Sequence, residues 1–358
     1  MKKGYLLLET GEIFPGTLIG SQEESIGEVV FNTSMTGYQE IMSDPSYAGQ
    51  IIVFCYPIIG NYGVNANDFE AETLYAKGII TGEICNAPNH YSSQGSADIL
   101  LKGSEVSGLT GVDTRELVKT IRKRGTVKGL ITSDIKQFPT IAHSDFLVKE
   151  VSTSQPKTYE NPGAHIALID YGHKKSILHA LLKEGCKVTL LPYDTTFNQV
   201  KALSPDGVVF SNGPGNPEEL KDHLAEIKMI STHYPSLGIC LGHQLIALAF
   251  GARTQKLLFG HRGGNHPVKE TSTGKVFITS QNHSYVVKEE SLDLSKFEVL
   301  FKNINDGTVE GIRHRNLPLV AVQFHPEANP GPHDTTYLFS AFLKSINERT
   351  EVMSYAIN

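Results

Sequence analysis

The 358-residue chain has no tryptophan, only four cysteines and no long hydrophobic run. Each shortage excludes something. No apolar stretch approaches the roughly 18–20 residues of a membrane-spanning helix. The basic opening Met1-Lys2-Lys3 is followed by a short apolar piece, Tyr5–Leu8, far below the core length of a signal peptide. The cysteines (Cys55, Cys85, Cys186, Cys240) show no CxxC spacing, so a disulfide scaffold is not expected. They read as reduced thiols, with a cytoplasmic location as the expectation. A basic excess is also missing: 32 Lys and Arg stand against 38 Asp and Glu, a formal net charge of −6. Proteins that grip nucleic acid or an anionic membrane need the opposite sign, so neither partner is expected. With 40% hydrophobic and 20% charged residues, an ordinary globular protein remains. Its length suggests two domains or three.

A polar stretch with two prolines and a glycine, Ser152 to Gly163, lacks hydrophobic periodicity. It reads as a linker, taken as 151–163, between domains over 1–150 and 164–350. Before it come short β-rich runs and turns: Tyr5–Leu8 and Ile13–Phe14 around Thr10-Gly11, then Glu28–Phe31, Gln50–Tyr56 and Gly78–Ile84. Asp113–Arg124 reads as a helix, with Leu117, Val118 and Ile121 on one face and cations near the end that favours them. This half is expected to be a smaller, mixed β-rich domain.

After the linker, strand and helix alternate. Strands are expected at Ile166–Asp170, Lys187–Pro192, Gly207–Ser211 and Ser236–Ile239. Helices are expected at Lys174–Glu184, Phe197–Leu203, Pro217–Thr232 and Leu241–Phe250. Further strands follow at Lys275–Val287, Phe297–Asn303, Thr308–Arg313 and Pro318–His325, and Thr335–Asn347 looks like a closing helix. Continuous apolar strands separated by helices predict a parallel sheet covered on both faces. The C-terminal half is therefore expected to be α/β, a doubly wound, mostly parallel sheet. In such sheets chemistry sits beyond the carboxyl ends of the strands.

The sharpest motif is Gly238-Ile239-Cys240-Leu241-Gly242-His243-Gln244, a G-x-nucleophile-x-G form with cysteine in the nucleophile place. An abrupt strand-to-helix turn strains the central residue and leaves no room for side chains beside it. The thiol would project at a helix N-terminus, where the dipole favours an anion. The Leu241 N–H would face a developing oxyanion. The competing reading is a small buried cysteine in a strand–helix connection. A second motif, Gln323-Phe324-His325-Pro326-Glu327, follows an apolar run. Pro326 holds His325 extended, and residues i and i+2 of an extended chain point the same way. His325 and Glu327 then suit a base and its orienter. Alone, the pair could equally be a surface histidine beside a solvated glutamate. Ser211-Asn212-Gly213-Pro214-Gly215-Asn216-Pro217 joins a strand to a helix. Gly213 could offer an N–H to an oxyanion, or the segment is a plain turn with proline at the first helical position. A phosphate loop fits poorly, because the third glycine and a G-K-[ST] ending are missing. His261-Arg262-Gly263-Gly264-Asn265-His266 lacks a zinc-site pattern. It reads as a loop beside the active site, and no metal is expected.

SNGPGNP, GICLGHQ and QFHPEA, in that order, resemble class I, triad-type glutamine amidotransferase domains. FNTSMTGYQEIMSDPSY, YPIIGNYG and GVDTREL before the linker, with GGNHPV, SQNHSY and PEANPGPHD after it, resemble the small subunits of carbamoyl phosphate synthetases. That resemblance covers nearly the whole chain and implies a glutamine-hydrolysing enzyme subunit. It implies Cys240 as nucleophile, His325 as general base and acid, and Glu327 as orienter. Gly213 and Leu241 would sit at the oxyanion hole, and Gly215 and Gln244 would line the glutamine site. Ser46 of the first domain would reach the glutamine; Asn282, Ser284 and Tyr285 would hold its backbone end. The family often has Q-N-H-G-F where this chain has Ser284 and Tyr285, which a contact through the backbone accommodates. The implied substrate is L-glutamine. The implied partner is a large synthetase subunit that carries ATP and magnesium, and this chain would hold no cofactor. The pathways implied are arginine and pyrimidine biosynthesis. Alternatives are the glutaminase subunit of another synthetase and a catalytically silent regulatory subunit.

Overall fold

The computed structural model describes residues 2–139 and 146–357, with side chains to residue 348. The expected first domain, 1–150, therefore includes Met1 and residues 140–145, which lie outside the described residues. The chain divides into two compact units, Met1–Leu147 with Leu258–Gly263, and Val148–Leu257 with Gly264–Asn358. Among the described residues no helix is long and apolar enough to cross a membrane.

The first unit contains β1 (Lys3–Leu8), β2 (Ile13–Gly20), β3 (Ser25–Asn32), α1 (Tyr38–Ser43), β4 (Gln50–Phe54) and β5 (Ile58–Ile59). It continues with β6 (Gly78–Ile80), β7 (Glu83–Ile84), α2 (Ala97–Gly103), β8 (Ser107–Thr110), α3 (Thr114–Arg124) and β9 (Val127–Thr132). Seven strands close into a barrel in the order β1-β2-β8-β6-β4-β3-β9. The β1–β2 hairpin pairs Leu6 with Phe14 and Leu7 with Ile13, and Gly11 takes the left-handed φ of 98° that its turn requires. Strand β4 is buried on both faces. Ile51 and Val53 join one hydrophobic cluster, and Ile52 and Phe54 join another, as strand alternation dictates. Helix α3 starts at Asp113, whose side chain accepts from Glu116 N at 2.9 Å, and it packs Leu117 and Ile121 into the first cluster. The run Gly78–Ile84, expected as one strand, is split. Its start joins the barrel, and its end pairs with β5 in a separate two-stranded sheet.

After α4 (Leu147–Val151), the second unit has β10 (Lys157–Tyr159), β11 (His165–Asp170), α5 (Lys175–Lys183), β12 (Lys187–Pro192), α6 (Phe197–Leu203) and β13 (Gly207–Phe210). Then come α7 (Leu224–His233), β14 (Ser236–Ile239), α8 (Leu241–Ala249), β15 (Thr254–Glu270), β16 (Val276–Val287), β17 (Phe297–Asn303), β18 (Val309–His314), β19 (Leu319–Val322) and α9 (Tyr337–Ile357). The ten-stranded sheet runs β10-β12-β11-β13-β14-β19-β18-β17-β15-β16. Its five strands from β12 to β19 are mutually parallel, and the flanks are antiparallel. This is the doubly wound arrangement the alternating pattern predicts. Ile166 and Leu168 of β11 pack with Leu178 and Leu181 of α5 and with Phe339 and Phe342 of α9.

Further stretches differ from the sequence expectation. The stretch 151–163, read as a linker, contains β10, which adds antiparallel to β12. Pro217–Thr232, expected as one helix, opens with a 3-10 segment over Pro217–His223 before α7. Such tight turns are common at helix starts, and here Asn216 and Pro217 begin the turn early. The glycine-rich segment His261–His266, expected as a loop, lies inside β15. Its glycines hide the alternation that marks a strand. The parallel strands β11, β13, β14 and β19 all end at one edge, which gathers Asp170, Ser211, Cys240 and Gln323.

Candidate active site

Cys240 stands between β14 and α8 with φ 52° and ψ −102°. This backbone is one that non-glycine residues avoid, at a cost of about 1–3 kcal/mol. Neighbours hold it there. Its N–H donates to Val322 O at 2.8 Å, and the Gly242 N–H donates to Ser211 O at 3.0 Å. Space beside both flanking glycines is tight, and the backbone carbonyl facing Gly242 makes glycine obligatory there. A Cβ on Gly238 would lie 2.7 Å from Ile246 Cδ1, and one on Gly242 would lie 2.2 Å from Phe210 O. The turn fixes the buried thiol at the head of α8. Sγ donates to Asn282 O at 3.6 Å and accepts from Gln323 Nε2 at 3.6 Å. Leu241 is the first helical residue, so its N–H has no acceptor within the helix.

His325 follows β19, and its N–H is anchored to Ser280 O at 2.9 Å. Its Nδ1 meets Glu327 Oε1 at 2.6 Å, so the histidine and the second-next carboxylate do face the same way. Lys174 Nζ lies 3.2 Å from that same oxygen and also donates to Ala328 O. All three charged side chains are buried. Burial pushes the His325 pKa down, but the Glu327 charge and contact with Cys240 outweigh it and raise the group to about 10. Burial pushes Glu327 up, but the charges of Lys174 and His325 outweigh it and lower the carboxyl to about 2. The His325 Nε2 makes no hydrogen bond of ordinary geometry among the described residues, although Cys240 is near enough to favour the protonated ring. The arrangement can therefore hold an imidazolium beside a sulfur nucleophile, with the ring's far nitrogen fixed by a carboxylate.

Comparisons with known proteins give the family. The glutamine amidotransferase class-I family matches residues 167–345. The CPSase domain of the carbamoyl-phosphate synthase small chain matches residues 6–131. The carbamoyl phosphate synthase arginine-specific small chain of Halalkalibacterium halodurans is 49% identical over 361 residues, covering 99% of this chain and 100% of that protein. The chain belongs to the carbamoyl phosphate synthase small-chain family. The pyrimidine-specific small chain of the same organism is 48% identical, with 96% of each chain covered. The small chain of Listeria monocytogenes is 48% identical over 98% of this chain and 99% of that one.

In this small-chain family member, the remaining sequence-derived residues fall as follows. A Cβ on Gly213 would lie 2.2 Å from Tyr171 O and 2.9 Å from Leu241 Cδ2, so close packing beside the elbow demands glycine. Gly215 has a left-handed φ of 89° in the same loop. Gln244 is buried and donates to Tyr285 O at 2.8 Å and to Gln323 Oε1 at 3.0 Å. Asn282, Ser284 and Tyr285 lie on β16, and Ser284 is not among the positive-φ residues, so its place needs no glycine. Ser46 belongs to the first unit, in a turn where its N–H donates to Asp44 Oδ1 at 2.9 Å. Two contacts escaped the sequence reading. The sequence marks Lys174 only as a helix start and Gln323 only as part of a motif. Neither carries a local signal, since each meets its partner through the sheet. His243, beside the elbow, is fully buried, and burial pushes its imidazole down to about 3. It stays neutral and is a core residue, not a second base.

Proposed function

We propose that this chain is the glutaminase subunit of a carbamoyl phosphate synthase. One observation carries the proposal above all: a cysteine held in a positive-φ elbow at the same sheet edge as a buried His325–Glu327 pair. In this reading the Cys240 sulfur attacks the side-chain amide carbon of L-glutamine. The Leu241 and Gly213 N–H groups receive the oxyanion. The His325 imidazolium gives its proton to the amide nitrogen, and ammonia leaves a γ-glutamyl thioester. His325 then takes a proton from water, which attacks the thioester. Glutamate departs, and the sulfur is restored as an anion beside the imidazolium. Glu327 holds the ring in the orientation both steps need. Gly215, Gln244, Asn282, Ser284, Tyr285 and Ser46 are assigned to glutamine binding.

Ammonia in neutral water becomes ammonium, which is no nucleophile. A glutaminase feeding a synthesis therefore works against a partner that accepts ammonia directly. We assign that role to a large synthetase chain carrying ATP and magnesium, docked through the barrel unit, with no cofactor on this chain. Both chains would work in the cytoplasm, where thiols stay reduced. The test uses the complex of both chains. Cys240→Ser should lower glutamine-dependent synthesis by at least about a thousandfold, while synthesis from added ammonia persists. Loss of both activities, or survival of the glutamine-dependent one, rejects the assignment.

A further inference from the structure

We propose that Asp170 is a positioning residue for the Cys240–His325–Glu327 group, acting through Lys174. The inference rests on the glutaminase reading above. Asp170 ends β11 at the edge where the chemistry gathers, and it is buried. A buried carboxylate is tolerated only when well partnered, and this one gathers four donors. Its Oδ1 accepts from Gly172 N at 2.9 Å, His173 N at 2.8 Å and His173 Nδ1 at 2.9 Å. Its Oδ2 accepts from Thr153 N at 2.7 Å. Burial pushes its carboxyl up, but the His173 charge and these hydrogen bonds prevail and hold it below the usual value.

Three of the four donors lie on the two residues just before Lys174. The carboxylate thus folds 170–173 into a tight turn. Two further bonds pin that turn to the β13 loop: Tyr171 N to Ser211 Oγ at 2.9 Å and Lys174 N to Asn212 Oδ1 at 3.0 Å. Helix capping does not account for the carboxylate. The N-cap of α5 is Lys174 itself, and no side chain caps that helix. Instead, the turn delivers Lys174 with its long side chain buried and Nζ against Glu327 Oε1. A lysine on a flexible four-carbon stem keeps such a contact only if its backbone is held. Among the described residues no hydrogen bond of Asp170 reaches Cys240, His325 or Glu327 directly, so its influence is indirect, and Lys174 is the residue of its turn that touches Glu327.

The experiment is a double-mutant cycle on glutamine hydrolysis by the assembled complex, using Asp170→Ala, Asp170→Asn, Lys174→Leu and the combinations. Asp170→Ala should lower kcat by roughly ten- to a hundredfold, the scale of a misplacement near 1 Å. KM should stay within about twofold, since ground-state binding is untouched. Asp170→Asn, which keeps one acceptor oxygen, should recover part of the loss. In the Lys174→Leu background, Asp170→Ala should cost nothing more. The acid limb of the kcat profile should move to higher pH in Asp170→Ala, because Glu327, faced by Lys174 and His325, loses its lysine. Multiplicative losses, an effect on KM alone, an unmoved acid limb or wild-type kcat in Asp170→Ala each overturn the proposal. Should Asp170→Ala fail to assemble, Asp170→Asn decides: wild-type kcat, or a loss that persists beside Lys174→Leu, rejects it. A wild-type complex that hydrolyses no glutamine rejects the glutaminase reading instead; an active wild type with a multiplicative cycle rejects only the role of Asp170.

Discussion

The barrel unit and the sheet unit manage their strands differently. Seven strands of the barrel close on themselves, and β4 is buried on both faces by hydrophobic clusters. Closure removes free edges and leaves the interior filled by side chains. The sheet unit stays open. From β11 the chain goes to β12 on one side and then to β13 on the other. The connections leave β11 and β13 in opposite directions, the kind of switch point beyond which ligands bind in open α/β sheets. Asp170, Tyr171, Gly213 and the Cys240 elbow stand at that edge. A closed sheet concentrates its stability in packing. An open one can afford strained backbone and buried charge, because neighbouring strand ends hold them in place.

Substitutions can break this contrast. The largest effect after loss of the thiol is expected at Glu327. Glu327→Gln should lower kcat for glutamine by roughly a hundred- to ten-thousandfold, the range for losing a histidine's orienting carboxylate. It should also destabilise the sheet unit by about 3–5 kcal/mol, since Lys174 keeps a buried charge without its carboxylate. Denaturant titration of both proteins measures the second effect. The pH dependence has a definite sign. His325 is raised from 6.5 to about 10, so its contribution is complete below about pH 6.5 and fades as pH climbs through about 10. Glu327 is lowered from 4.5 to about 2, so its contribution is complete above about pH 4.5 and fades as pH falls through about 2. Stability from the pair is greatest between those bounds, and Glu327→Gln should flatten the decline on the alkaline side. An unchanged slope there would show that the histidine is not held by the carboxylate.

The opposite outcome is expected in the barrel. Ile51 is fully buried in one of its clusters, so Ile51→Ala should cost about 2–5 kcal/mol. The folded fraction should keep its kcat for glutamine. A specific loss of kcat at full folding would mean that the barrel core also shapes the chemistry. The smallest effect is expected at the α3 cap. Asp113→Ala removes the side-chain acceptor for Glu116 N and should cost about 1 kcal/mol. Catalysis should be unaffected, and a drop in activity at that position would blur the contrast.

The legible parts of this protein share a property. The elbow was readable because its two glycines and its cysteine lie within five residues, although the Phe210 carbonyl that excludes a side chain at Gly242 comes from β13. The His325–Glu327 contact was readable because alternation along an extended chain places i and i+2 together. The helix and strand pattern of the second unit followed from periodicity, except where glycines diluted it in β15 and where a polar stretch hid β10. Barrel closure was not readable. It depends on β9 returning to β1, more than a hundred residues away, through a backbone ladder that leaves no mark in side-chain pattern.

By itself, then, the amino-acid sequence determined the α/β class of the second half, the position of the elbow cysteine and the histidine with its carboxylate. These follow from forces that act within a turn or along one strand: backbone sterics, alternation and helix periodicity. Only the tertiary structure decided which cation stands against Glu327, which amide meets the thiol and which carboxylate holds the turn behind them. Lys174 and Glu327 are 153 residues apart in the chain, and their 3.2 Å contact exists because β11 and β19 run parallel in one sheet with their carboxyl ends at the same edge. A buried charge has no preferred partner along the chain. It takes the one that packing brings within reach, since leaving it alone in a medium of low dielectric costs more than any local preference can offset.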